Sequence, residues 1–295
     1  MGPNVAGALL MMAAMACYTF NDAFLKATDG ALPLFQLLFL RGILATGFIG
    51  AFAGWRGALM VRLGARDWSL IALRSAAEVG AACFFVTALL NMPLANVTAI
   101  LQILPLTVTL GAALFFSEPI GWRRMTAIAI GFLGMLLIVR PGTEGFNLWS
   151  VYALAAVVCV TTRDLATRRM SAAVPSLLVT FSASLMVLVV AGVASLSLEW
   201  TPITPRLGGL IAAASVFIVG GYYFSVQVMR QGDVSFVAPF RYTGLIWAFV
   251  LGWFFFGDWP QPLTLLGAGI VVGTGLFTLY REGRWATRPP PVNRA

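Results

Sequence analysis

The sequence predicts an all-α integral membrane protein of ten transmembrane helices arranged as two inverted five-helix repeats. Three observations carry this. Of 295 residues, 60% are hydrophobic and 10% are charged, with a mean hydropathy of +0.89, whereas a soluble domain is about 25% charged. The apolar residues fall in ten blocks, each able to supply the roughly 17–25 residues that cross a bilayer. Two stretches 142 residues apart also repeat one another, and five blocks separate them.

The blocks lie near 5–26, 33–54, 69–90, 94–116, 123–139, 147–167, 175–197, 207–229, 234–256 and 263–280. The first has no basic segment ahead of it and runs past Cys17 to full span length, so it reads as a retained helix and not as a cleaved signal peptide or lipoprotein anchor. Pro33 opens the second and Pro175 the seventh, at the position a helix tolerates proline best. Asn91-Met92-Pro93 is a short link that makes the third and fourth antiparallel neighbours. Pro105 bends the fourth by freeing a backbone carbonyl in mid-helix, and Pro239 sits near the start of the ninth. The closing "ATRPPPVNRA" is Pro-rich and polar, as a disordered cytoplasmic tail would be. The chain thus divides into a first repeat, 1–142, a second, 143–281, and a tail, 282–295.

Orientation follows from the basic residues. With the N-terminus inside, thirteen arginines fall on inner segments: Arg56, Arg62, Arg66, Arg123, Arg124, Arg163, Arg168, Arg169, Arg230, Arg281, Arg284, Arg288 and Arg294. Only Lys26, Arg140 and Arg206 fall outside, so both termini are expected in the cytoplasm. The same distribution explains the net charge of +8 and pI of about 10.1. Spread along one membrane face, this charge fits anionic lipid as partner and not nucleic acid.

Several chemistries are excluded by composition. The chain has no histidine, so it holds neither H-E-x-x-H zinc sites nor Ser-His-Asp triads. Cys17, Cys83 and Cys159 are far apart and within apolar blocks, which fits packing residues better than a metal or disulfide framework. The single lysine, Lys26, is outside any P-loop pattern, and Gly267–Gly275 lacks G-x-G-x-x-G spacing. No cofactor and no metal are expected.

The repeat is visible residue by residue. Aligned without a gap, "CYTFNDAFLKATDGALP" and "CVTTRDLATRRMSAAVP" match at Cys17 with Cys159, Thr19 with Thr161, Asp22 with Asp164, Lys26 with Arg168 and Pro33 with Pro175. "LFFSEP" and "FFFGDWP" set Glu118 over Asp258 at a spacing of 140. An odd number of helices per half makes the second half enter the membrane from the opposite side, the arrangement of secondary transporters with a site near the midplane.

Three stretches, "LRGILA", "LRSAAEVGAACFFVTALLNMPLANVTAILQILPLTVTLGAALFFSEP" and "GDVSFVAPFRYTGLIWAFVLGWFFFGDWP", resemble the EamA-type transporters of the drug/metabolite transporter superfamily, and within it bacterial amino-acid exporters. The resemblance covers nearly the whole chain. It implies ten helices in two inverted halves around a central cavity, in a bacterial inner membrane, with export of amino acids or other small metabolites.

Charges in the apolar blocks need a reason, since each costs roughly 2.5–3.5 kcal/mol at mid-bilayer on insertion scales. Asp22, Arg41, Arg74, Glu78 and Arg241 are the five. Asp22 and Arg41 lie at similar depth and are expected to pair, with a proton or cation site at Asp22 as the alternative. Arg74 and Glu78 are one turn apart and pair locally, unless Glu78 faces the cavity to meet a substrate ammonium or to titrate. Thr98, Gln102, Pro105 and Thr109 form one stripe, which either bonds neighbouring helices or lines the cavity. Tyr18, Tyr223 and Trp247 are expected as aromatic walls, beside Tyr222, Ser225 and Gln227. Arg241, seven residues into the ninth block, is about 10 Å deep, and is expected in a cytoplasmic gate with a carboxylate contact as its second role. Gly50/Gly54 and Gly269/Gly273 are spaced for close packing inside the bundle, or for a homodimer through the tenth helix if the protein is not a monomer.

The sequence therefore reads as a secondary transporter exporting amino acids or related small metabolites by alternating access. Arg41, Glu78, Gln102 and Arg241 are its polar anchors. The rivals are another cargo (nucleoside-like, riboflavin, carboxylate or drug), a membrane-embedded enzyme, and a channel or scaffold.

Overall fold

The computed structural model describes residues 3–118, 121–140, 147–228 and 234–286. They form α1 (Pro3–Lys26), α2 (Leu34–Trp55), α3 (Ala65–Asn91), α4a (Leu94–Leu101), α4b (Leu104–Phe116), α5 (Trp122–Val139), α6 (Leu148–Arg169), α7 (Ser176–Ser195), α8 (Pro205–Val228), α9a (Val234–Val237), a 3-10 turn (Ala238–Tyr242), α9b (Thr243–Phe256) and α10 (Pro262–Ala286). Arg230, Arg288, Arg294 and residues 287–295 of the expected tail lie outside the described residues, whereas 282–286 continue α10.

Local chemistry sets these limits. Pro33 and Pro175 are the N-caps of α2 and α7. The fourth and ninth helices are not continuous, as the sequence had them. Pro105 lacks the N–H that the Leu101 carbonyl would accept, and the helix stops at Leu101 and restarts at Leu104. Pro239 lies in the 3-10 turn that interrupts the ninth. Among the described residues nine helices are long and apolar enough to cross a membrane. The ninth span falls outside that count because its longest piece, α9b, has 14 residues.

Contacts at the helix ends show the inversion. On one face, the Lys26 ammonium at the end of α1 donates to the carbonyls of Met92 (2.9 Å) and Leu89 (3.4 Å) at the end of α3. Gln36, at the start of α2, exchanges two hydrogen bonds with the Thr201 backbone on that face, 2.8 and 3.0 Å. On the opposite face, Asp67 at the start of α3 accepts from Ser171, just beyond α6, at 3.0 and 2.8 Å. So α1 ends at the first face and α6, its counterpart in the second half, at the second.

Packing obeys the same pseudo-twofold. α3 packs on α6 as α8 packs on α1, α3 on α7 as α8 on α2, and α4b on α6 as α9b on α1, while α2–α7 and α5–α10 meet across the axis. Matched cysteines and glycines make two of these crossings. A Cβ on Gly80 would lie 2.9 Å from Cys159 Sγ, and one on Gly220 3.3 Å from Cys17 Sγ. Each cysteine is thus a small residue seated on a glycine of the other half, 140 residues from its counterpart glycine. Equivalent left-handed caps close the broken helices: Ser117 (φ 55°) after α4b and Gly257 (φ 67°) after α9b.

Gly50 packs against Phe181 of α7, but Gly269 and Gly273 have open space around them. Packing inside the bundle, expected for that pair, belongs instead to Gly267, whose neighbour is the Gly134 carbonyl of α5. Leu37, Leu38, Leu89, Leu94, Ile100 and Ile103 are fully buried between helices, whereas Leu114, Phe115, Val216 and Phe254 are 69–74% exposed. Large apolar side chains covering the outside of a bundle need lipid around them.

Gln36 is fully buried. Gln36→Leu removes both bonds to Thr201 and is expected to cost about 2 kcal/mol, read as a lower thermal midpoint in detergent.

Candidate functional site

The α3–α6 crossing carries a chain of four charges. Glu78 sits half a turn before Gly80, and Arg163 one turn after Cys159, so the close approach of those two small residues brings the charges together. Arg163 Nη1 donates to Glu78 Oε2 at 3.3 Å and its Nε to Asp164 Oδ1 at 2.9 Å. Arg74 Nη1 stands 3.9 Å from the same Glu78 oxygen and 3.4 Å from the Val179 carbonyl. These side chains are only 14–28% exposed. The expected Arg74–Glu78 pair is present but is the looser of the two that Glu78 makes.

The symmetry-related α1–α8 crossing is built without a charge pair. Asn21 stands where the repeat sets Arg163, and Ile218 stands where Gly220 and Gly80 set Glu78. Tyr18 lies flat on Gly221, where a Cβ would come within 2.6 Å of its ring. Its hydroxyl bonds Ser225 Oγ at 3.0 Å, and its ring meets Tyr222 edge-on at 5.9 Å. Toward the first face, Phe20 stacks on Phe217 at 5.0 Å, with Phe24 and Trp247 around them at 5.5–6.2 Å. One crossing is therefore charged and the other aromatic.

Arg41, on α2, reaches α1 beside the aromatic crossing. The expected Asp22–Arg41 ion pair does not form: Asn21 comes between, donating to Asp22 Oδ1 at 2.8 Å and accepting from Arg41 Nη1 at 3.4 Å. Buried Nε–H groups of Arg41 and Arg74 have no hydrogen-bond partner among the described residues. A buried guanidinium with open donors suits a carboxylate, which takes them in pairs.

The broken helices complete the arrangement. Gln102 caps α4a at the break, half-buried, with Thr98 one turn before it. Arg241 falls in the 3-10 turn of the ninth helix and is exposed. Interrupted helices commonly form transporter sites because unwound backbone offers groups that a continuous helix keeps to itself.

Two placements differ from expectation. Tyr223 is 48% exposed, one helical repeat beyond Val216 at 69%, so it lies on the outer face of α8 and bonds Gln227 there, while Tyr222 takes the inner position. Arg163 was expected on the cytoplasmic face, but it lies inside α6 against Glu78. Its spacing of four from Cys159 was the sequence signal for that inner face.

Comparison with known proteins fits this geometry. Residues 5–140 and 147–280 each match the EamA-like transporter family. The chain is 26% identical over 270 residues to the pseudopaline exporter CntI of Pseudomonas aeruginosa, covering 89% of this chain and 93% of that one. It is 26% identical over 195 residues to an S-adenosylmethionine uptake transporter of Rickettsia bellii, covering 64% and 65%. It is 28% identical over 200 residues to a riboflavin transporter of Vibrio cholerae, covering 67% and 66%. A solved crystal structure superposes with a TM-score of 0.64 at 19% identity, over 96% of this chain and 99% of that one, and so shares the fold. Two copies of the family's unit, all-helical and membrane-spanning, account for nearly the whole length: the chain is a multi-pass small-metabolite transporter and belongs to the EamA-like transporter family.

Proposed function

We propose that this transporter exports amino acids or closely related zwitterionic metabolites by alternating access. The membrane is a bacterial inner membrane, both termini are cytoplasmic, and the halves are 1–142 and 143–281. The supporting observation is the mixed interior: Arg41 and Arg74 each keep an Nε–H without a partner among the described residues, Glu78 stands beside Arg74, and Phe20, Phe217 and Trp247 cluster apart from them. Carboxylate, ammonium and apolar side chain each then have a counterpart. Arg41 and Arg74 take the carboxylate and Glu78 the ammonium, while Tyr18, Tyr222 and Trp247 hold the side chain. Thr98 and Gln102 offer polar contacts at the break, Asp22 serves coupling, and Arg241 serves the cytoplasmic gate. Even with Arg163 moved into the span, the basic residues still favour cytoplasmic termini.

Export is the direction ascribed to the pseudopaline relative, whereas the S-adenosylmethionine relatives carry out uptake. The aromatic cluster favours one second reading, a flat ring-bearing cargo such as that of the riboflavin transporters.

Counterflow decides between them. Proteoliposomes containing the full chain are preloaded with each amino acid in turn, or with riboflavin, with and without a pH gradient. Saturable exchange of an amino acid is expected. Exchange of riboflavin alone would replace the amino-acid reading with the second, and indifference to the gradient would remove proton coupling.

A further inference from the structure

The matches between Lys26 and Arg168 and between Glu118 and Asp258 have no part in the cargo site, and the structure places them at opposite membrane faces. At the second face, Arg168 Nη2 pairs with Glu118 Oε1 at 3.2 Å, and the Arg169 guanidinium lies 4.0 Å from the centre of the Phe116 ring. At the first face, the Lys26 ammonium lies 5.4 Å from the centre of the Phe256 ring, and Asp258 follows two residues on, just past the left-handed cap at Gly257. Phe116 and Phe256 are themselves 140 residues apart, as are the left-handed caps Ser117 and Gly257 that turn each acid back toward its cation.

Each cluster ties the first helix of one half to the end of the broken helix of the other: α6 to α4b, and α1 to α9b. Each broken helix is interrupted upstream of its clasp, at Gln102–Ile103 and at Ala238–Tyr242, where a change of backbone angle moves the clasped piece relative to the piece before the break. Short interruptions at the ends of helical pieces are where hinge motion is absorbed.

We infer that the two clasps are the alternating closures of this carrier, Arg168–Glu118 shutting the second face and Lys26–Asp258 the first. They are not engaged equally. The second clasp is closed by a direct ion pair. In the first, Lys26 gives its hydrogen bonds to the Met92 and Leu89 carbonyls and makes no direct ion pair with Asp258. The structure is thus the form closed at the second face, and Lys26 exchanges its carbonyl partners for Asp258 when the first face shuts. The inverted repeat requires this reciprocity, because what one half does at one face its counterpart does at the other.

The test is the sidedness of labelling, which needs no cargo and stands whether or not the amino-acid reading does. The full chain carries alanine in place of Cys17, Cys83 and Cys159 and a central reporter, Ser225→Cys. In membrane vesicles of both orientations it is treated with an impermeant maleimide, and the ratio of labelling rates from the two faces is measured. An exposed ion pair is weak, so Glu118→Gln is expected to shift the ratio about threefold toward access from the second face, and Asp258→Asn by a similar factor toward the first. Exchange of the partners, Arg168→Glu with Glu118→Arg, rebuilds the pair and restores the ratio. Shifts in the same direction for both single variants, no shift, or no restoration by the exchange would overturn the inference, since a loss of general stability has no preferred face.

Discussion

Glu78→Gln is expected to lower the rate of counterflow roughly 10- to 100-fold while leaving the protein folded in the membrane. Glu78 is the acid that Arg74 and Arg163 share, and a hydrogen bond to a charged group contributes about 1.5–3 kcal/mol. Glutamine keeps the shape and one acceptor but not the charge, so a substrate ammonium loses its counterion and the two guanidiniums repel one another. Folding survives because Arg163 keeps Asp164 at 2.9 Å and all these groups are partly exposed. The paired measurement is initial exchange rate against thermal midpoint in detergent. A normal rate with a lowered midpoint would make Glu78 a brace between α3 and α6 and nothing more.

Gly267→Val is expected to destabilise the protein by about 2–3 kcal/mol, with a matching fall in thermal midpoint. A Cβ at Gly267 would come within 2.5 Å of the Gly134 carbonyl, and one at Gly134 within 3.0 Å of the Gly267 carbonyl. Main chain faces main chain at this point, so no side chain can swing away and α5 must part from α10. Gly269→Val, two residues on and facing open space, is the control and is expected to leave the midpoint unchanged. Equal effects at the two positions would mean that both faces of α10 are packed.

The same two positions show what could be read before the fold was seen. Gly269 and Gly273 have the spacing of a packing motif, yet the packed glycine is Gly267. In an apolar span both the lipid-facing and the buried side are oily, so hydropathy gives a helix's length and not its rotation. Tyr222 and Tyr223 were indistinguishable for the same reason, and only the outward Val216, seven residues before Tyr223, fixes the phase. Arg163 was assigned to a membrane face because an arginine near a span end is usually solvated. Its partner Glu78 is 85 residues away, in the other half.

What was legible came from features with local causes or from the repeat. Pro33 and Pro175 start helices because proline has no N–H to lose there, and Pro105 marks a bend that the structure shows as a full break, whereas Pro239, read as lying near a helix start, falls in an interruption. The match of Cys17 with Cys159 proved structural, since each sulfur packs on a glycine across the pseudo-twofold. Asn21 escaped notice because the repeat paired the acids beside it, Asp22 and Asp164. It is a neutral amide where the second half has Arg163, and it accepts from Arg41 Nη1 while the Nε edge of Arg41 has no partner among the described residues.

A competition assay probes that edge. Proteoliposomes exchange the best amino acid of the counterflow panel in the presence of either the same unlabelled amino acid or its α-amide, which keeps the ammonium and side chain and lacks only the carboxylate charge. If Arg41 and Arg74 read a carboxylate, the amide competes at least about 10-fold more weakly, the worth of one charge-assisted hydrogen bond. Equal competition by acid and amide would contradict carboxylate recognition by the two arginines.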